Sequence, residues 1–90
     1  MNIDVPKYTG NGFEFVWDTG YSIRCLIKDE SAIIEANAEG LRSLARHLLE
    51  LSQESVPEYC HFHLDVYNAL EDDSSELIIV KKINKDTRDG

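Results

Sequence analysis

Residues 61–65 read His-Phe-His-Leu-Asp. In an extended chain, residues two apart share a face, so His61, His63 and Asp65 stand together while Phe62 and Leu64 point the other way. Two imidazoles and a carboxylate in that register are ligand types for zinc, and imidazoles also serve proton transfer near neutral pH. For either task the triplet is incomplete. A zinc site needs a further ligand or a purposeful open position, and Cys60, adjacent to His61, faces the opposite side. Acid–base enzymes built on histidine pairs set two copies across a cleft, and this chain holds one. The third histidine, His47, falls elsewhere. The triplet therefore reads as the polar outer face of a sheet, with no catalytic residue, no resident metal and no cofactor. A small metal-binding or acid–base enzyme centred on His61, His63 and Asp65 is the alternative.

Other chemistry finds little support. The glycines at 10, 12, 20, 40 and 90 lack the spacing of a phosphate-binding loop, and no serine occupies a nucleophile elbow. Glu71-Asp72-Asp73-Ser74-Ser75-Glu76 has no alternate ligand spacing or central glycine, so it reads as a solvated connection and not a calcium loop. The placement of charge is more telling. Of a net charge of -8, all the excess lies between Arg46 and Lys81, where no Lys or Arg occurs and Glu50, Glu54, Glu58, Asp65, Glu71, Asp72, Asp73 and Glu76 stand. Phosphate backbones require clustered cations, which disfavours nucleic acid and favours a basic protein as partner. Steering by such a patch raises association rates more than affinity.

The elements that must carry these residues follow from periodicity. Phe13, Phe15 and Trp17 alternate and predict a first strand over 13–17, its aromatic row packing in the core; exposed instead, Trp17 with Tyr67 would anchor an interface. Asp18-Thr19-Gly20 offers a tight turn, followed by alternation of Tyr21, Ile23, Cys25 and Ile27. After a polar turn at 29–31, a third strand covers 32–36. At Asn37 the period becomes 3.6, and Asn37 is a helix N-cap with Glu39 favourably placed at the dipole's positive end. The helix runs to about Ser52. Ala38, Leu41, Leu44, Ala45, Leu48, Leu49 and Leu51 fill one half of the wheel and are expected against the core. Glu39, Gly40, Arg42, Ser43, Arg46, His47, Glu50 and Gln53 are expected toward solvent. Gly40 there either admits a close neighbour or is a tolerated cost of up to about 1 kcal/mol. Pro57 marks the exit, 60–67 alternate as a strand, and 76–83 form a last strand rich in β-branched residues.

The order βββαββ predicts one α+β domain over 1–83, two-layered, with a mostly antiparallel sheet of about five strands and the helix on one face; 84–90 form a charged tail. One helix of 15 residues cannot cover such a sheet, so part of the other face meets solvent or a partner. No apolar run reaches the roughly 20 residues of a membrane span, and Met1-Asn2-Ile3-Asp4 is unlike a signal peptide, so a cytoplasmic location is expected. Cys25 and Cys60 are expected as reduced, buried hydrophobes. The last strand offers an edge for self-association, so a monomer or weak homodimer is expected.

Three stretches of the C-terminal half carry a resemblance: Asn37-Ala38-Glu39-Gly40-Leu41 continuing through Leu44-Ala45-Arg46-His47-Leu48-Leu49, then His61-Phe62-His63-Leu64-Asp65, then Glu76-Leu77-Ile78-Ile79. Together they resemble small immunity proteins of bacterial polymorphic toxin systems, of the immunity protein 32 type. The resemblance implies a non-enzymatic cytoplasmic inhibitor that binds the catalytic domain of a toxin made beside it. The acidic surface would then meet a basic toxin domain, a nuclease being one such. Contact residues implied on that surface are His61, His63, Asp65, Tyr67, Glu71, Asp72, Asp73 and Glu76.

Overall fold

A computed structural model describes residues 3–10 and 12–82. Its elements, in chain order, are β1 (Ile23–Lys28), β2 (Ser31–Ala36), α1 (Ala38–Ser52), β3 (His61–Leu64) and β4 (Leu77–Val80). β1 and β2 form an antiparallel hairpin in register from Ile23 opposite Ala36 to Lys28 opposite Ser31. Its two-residue turn holds Asp29 at φ 50° and Glu30 at φ 66°. Left-handed backbone at both positions matches the twist of the flanking strands, at a cost that a bulky Glu30 bears more than a glycine would. β3 and β4 form a second hairpin, His61 opposite Val80 through Leu64 opposite Leu77.

The two pairs are linked at the free edge of β1. The Glu71 amide donates to the Ile23 carbonyl at 2.9 Å and the Ser75 amide to that of Cys25 at 2.6 Å, while the Cys25 amide donates to Ser74 Oγ at 3.1 Å. The buried half of β1, at Ile23 and Cys25, is thereby hydrogen-bonded on both edges. The architecture is α+β with four strands in two small antiparallel sheets, where the alternation had predicted about five strands in one.

The difference lies at residues 13–17, which join no ladder among the described residues. Their segment is held instead by side chains of α1. The Tyr8 amide donates to Gln53 Oε1 at 2.9 Å, the Glu14 amide to Glu50 Oε2 at 2.7 Å and the Asp18 amide to Ser43 Oγ at 2.9 Å. Arg46 donates to the Val16 carbonyl at 3.0 Å and Gln53 to that of Pro6 at 2.7 Å. The segment runs antiparallel to the helix, and the polar residues spaced three or four apart on α1 replace a neighbouring strand as its hydrogen-bond partners.

That cover sets which side of α1 is buried. Gly40, Ser43, Leu44, His47, Glu50 and Leu51 are buried, whereas Leu41, Leu48 and Leu49 are 54%, 42% and 47% exposed. The buried arc is centred near His47, about 120° around the wheel from Leu41 at 100° per residue. The leucine face expected inward is therefore only partly so. Leu44 and Leu51 join Ile23, Cys25, Phe62 and Leu64 in the core. Gly40 is not solvent-facing either. A Cβ there would meet the Ser22 carbonyl oxygen at 2.4 Å and Ile23 Cγ1 at 2.9 Å, so only glycine allows the helix to start this close to β1.

The helix is capped locally at its start and from a distant residue at its end. Asn37 Oδ1 accepts from the amides of Gly40 at 2.8 Å and Ser22 at 3.0 Å, and its Nδ2 donates to the Gly20 carbonyl at 2.9 Å. The last turn contains no basic residue, but Lys81 Nζ donates to the carbonyls of Gln53 at 2.7 Å and Val56 at 2.8 Å. A cation thus meets the negative end of the helix dipole. No helix among the described residues is long and apolar enough to cross a membrane. Ile83 and the charged tail 84–90 lie outside the described residues.

Candidate functional site

The expected strand over 60–67 stops at Leu64, because Asp65 begins a tight turn. The Asp65 carbonyl accepts from the amides of Asn68, Ala69 and Leu70 at 3.3, 3.0 and 2.9 Å. Asn68 closes the turn, its Oδ1 accepting from the Asp65 amide at 2.8 Å and its Nδ2 donating to the His63 carbonyl at 2.9 Å. Asp65 Oδ1 accepts from the Tyr67 amide at 2.9 Å, which leaves Oδ2 free to face His63.

On β3 the alternation holds. Phe62 and Leu64 are buried at 3% and 2% exposure, and His61 and His63 are exposed on the other side. Their cross-strand partners, Val80 and Ile78, are about half exposed, so the outer face of this hairpin is a mixed histidine and aliphatic surface. His63 Nε2 lies 3.5 Å from Asp65 Oδ2 and in close contact with Glu76 Oε2. The structure thus brings His63, Asp65 and Glu76 together. It places His61 three pairs from Leu64 at the far end of the ladder, so the triplet anticipated from alternation is replaced by one that recruits Glu76 from just before β4.

Around this face, Glu71, Asp72 and Asp73 are exposed in the connection that borders β1. Asp73 is partly neutralised: Arg24 Nε approaches its Oδ1 at 3.0 Å without hydrogen-bond alignment, and Arg24 also reaches Glu35 at 3.3 Å. Tyr67 is 93% exposed in the turn and Tyr59 65% exposed at the foot of β3. Trp17 is no interface anchor, since it is half-buried, stacked on Tyr21 at 4.5 Å and edge-on to His47 at 4.3 Å. Cys25 is buried and Cys60 half-buried, both as free thiols.

The second polar cluster was not anticipated. His47, expected in solvent, is fully buried among Phe15, Trp17 and Phe62, with ring centroids 4.5, 4.3 and 6.0 Å away. Neither ring nitrogen has an aligned hydrogen-bond partner. Burial holds its pKa below the usual histidine value, opposed by the nearby Val16 backbone. Glu50, one turn on, is 1% exposed; burial pushes its carboxyl up, opposed by the bond from the Glu14 amide, and its Oε1 is unpartnered. At the other end, Asp18 is held below the usual carboxylate value, first by its hydrogen bond from Arg42, at 3.0 Å, and then by Arg46 at 3.1 Å. These charges fasten the N-terminal segment to α1. No pattern in the sequence distinguished His47 from an ordinary solvent-facing helix residue.

The chain matches the family model described as immunity protein 32 over residues 32–83, more than half its length, and it belongs to that family. The matched span runs from β2 to the end of the second hairpin and includes His61, His63, Asp65 and Glu76. No curated protein and no solved structure matches it.

Proposed function

We propose that this protein neutralises a cognate toxin, made in the same cytoplasm, by binding it through the outer face of the β3–β4 hairpin and its acidic border. Immunity families are generally non-enzymatic, and their partner is the toxin they protect against. The observation that supports this face is the combination of exposed His61, His63, Ile78 and Val80 with Asp65, Glu71, Asp72 and Glu76, in a stretch free of Lys and Arg. Half-exposed aliphatic side chains supply the contact area that a purely charged patch lacks, while the carboxylates steer a basic partner and set orientation. Tyr67, extended from the adjacent turn, is a large rigid side chain suited to anchoring. A basic toxin domain is the matching partner, and a nuclease is the best-suited class, because nucleases carry cations for phosphate. The histidines then serve as contact groups and not as acid or base.

The test is co-purification and titration calorimetry of the chain with the product of the adjacent toxin gene. Reversing two border charges, with Asp72→Lys and Glu76→Lys, is expected to weaken the complex at least about tenfold, chiefly in its association rate and more at low salt. An unchanged affinity would move the interface elsewhere, and recovery of no toxin would remove the reading.

A further inference from the structure

We propose that His63, Asp65 and Glu76 form a binding site for a divalent transition-metal ion of the zinc type. The inference stands or falls independently of toxin binding.

Each of the three residues offers one ligand atom, and these atoms all lie within 4.8 Å of one another. A tetrahedral zinc ion with ligands at about 2.0–2.2 Å holds neighbouring ligand atoms roughly 3.4 Å apart. His63 Nε2 and Asp65 Oδ2 are already 3.5 Å apart. Glu76 crowds the same nitrogen, and its side chain is 54% exposed at the end of a flexible stem, so a small rotation opens the space an ion needs. The other two ligands are better fixed. His63 stands on the β3 ladder, and Asp65 is oriented because its second oxygen, Oδ1, accepts from the Tyr67 amide. Groups that orient ligands in this way raise metal affinity.

The charge balance points the same way. No Lys or Arg occurs from residue 47 to residue 80, and among the described residues neither Asp65 nor Glu76 pairs with a Lys or Arg; each faces the His63 imidazole instead. Two carboxylates converging on a single imidazole leave negative charge that a dication neutralises. One nitrogen with two oxygens is a donor set for zinc and neighbouring ions, while magnesium prefers oxygen alone in octahedral geometry. His61 is not a ligand, because β3 carries it to the opposite end of the hairpin from Glu76. With three protein ligands, the fourth position is left to water.

Titration of the full chain with zinc chloride, followed by calorimetry and by the histidine ring resonances, tests the site. One equivalent is expected to bind, shifting His63 while His61 and His47 stay in place. His63→Ala is expected to abolish binding. Glu76→Gln, an exposed and conservative change that leaves the fold intact, is expected to weaken it by about tenfold or more, and His61→Ala to leave it unchanged. Binding is expected to weaken on acidification, since the ligands must be proton-free, and to resist a large excess of magnesium. The site is overturned by the absence of saturable uptake, by uptake that survives His63→Ala, by equal loss in His61→Ala, or by a zinc-induced shift of His61 instead of His63.

Discussion

Two polar surfaces of this protein use the same residue types to opposite ends. Under the N-terminal segment, His47 is sealed among Phe15, Trp17 and Phe62, Glu50 is buried against the Glu14 amide, and their neighbours Ser43, Arg46 and Gln53 hydrogen-bond the backbone of residues 6–18. On the β3–β4 hairpin, His61, His63 and Glu76 are exposed, and His63 and Glu76 contact each other at the surface. Buried polar groups are costly unless paired, so the first surface serves cohesion and the second is free for recognition. The charge pattern in the sequence marks only the second. The first is built from residues that, in a lone helix, belong in solvent.

The largest effect that would sharpen this contrast is expected on the inner side. Gly40→Ala drives a methyl group into the Ser22 carbonyl and Ile23, and is expected to cost about 1–3 kcal/mol or more in denaturant titration. An unchanged denaturation midpoint would mean the helix start does not pack on β1 as described. Asn37→Ala comes next, at about 1–2 kcal/mol, because it releases the amides of Gly40 and Ser22 together.

The dependence on pH separates the two surfaces further. His47 is buried and its pKa lowered, so the stability it contributes is present above the ordinary histidine value and is lost as pH falls through the lowered one. Glu50 is raised, so its contribution is present below the ordinary carboxyl value and is lost as pH rises through the raised one. His47→Leu removes an unpartnered buried polar group, and is expected to be neutral or stabilising while flattening the loss of stability on acidification. Glu50→Gln keeps an acceptor for the Glu14 amide and is expected to flatten the alkaline side. Thermal melts from about pH 3 to about pH 8, which extend roughly one to two units beyond the ordinary values of the two groups, check each. An acid limb that persists in His47→Leu but vanishes in His63→Ala would reverse the assignment of the two surfaces.

The smallest effects are expected outside. Asp72→Lys and Glu76→Lys should change stability by no more than about 0.5 kcal/mol while altering partner binding. Glu30→Gly relieves left-handed backbone at an exposed turn and is expected to stabilise the hairpin by about 0.5–1 kcal/mol. A loss of stability there would indicate a role for the Glu30 side chain.

Much of the local structure was legible in the residues. Asn37 as cap, the 3.6-residue period and the polar exit bounded α1 at Asn37 and Ser52, as observed. The alternation expected over 60–67 and the successive strands expected near 21–27 and 32–36 are observed as β3, over 61–64, and as the β1–β2 hairpin, and the stretches that resemble immunity proteins fall within or beside these elements. Local signals failed where two periods coexist. The segment expected as a strand at 13–17 joins no ladder, because Glu50, 36 residues from Glu14, and Gln53, 47 from Pro6, take up hydrogen bonds of the N-terminal segment.

The sequence by itself determined which residues share a face: the repeat of a helix or a strand is a property of the backbone, and spacing alone groups Leu41 with Leu48, or His61 with His63. Only the tertiary structure decided what each face meets. The N-terminal segment turned α1 so that His47, not Leu41, lies in the core, and the β3–β4 register brought Glu76, not His61, to His63. Both outcomes depend on contacts between segments distant in the chain, and the difference in burial energy between competing faces is set by what covers them, which no local pattern encodes.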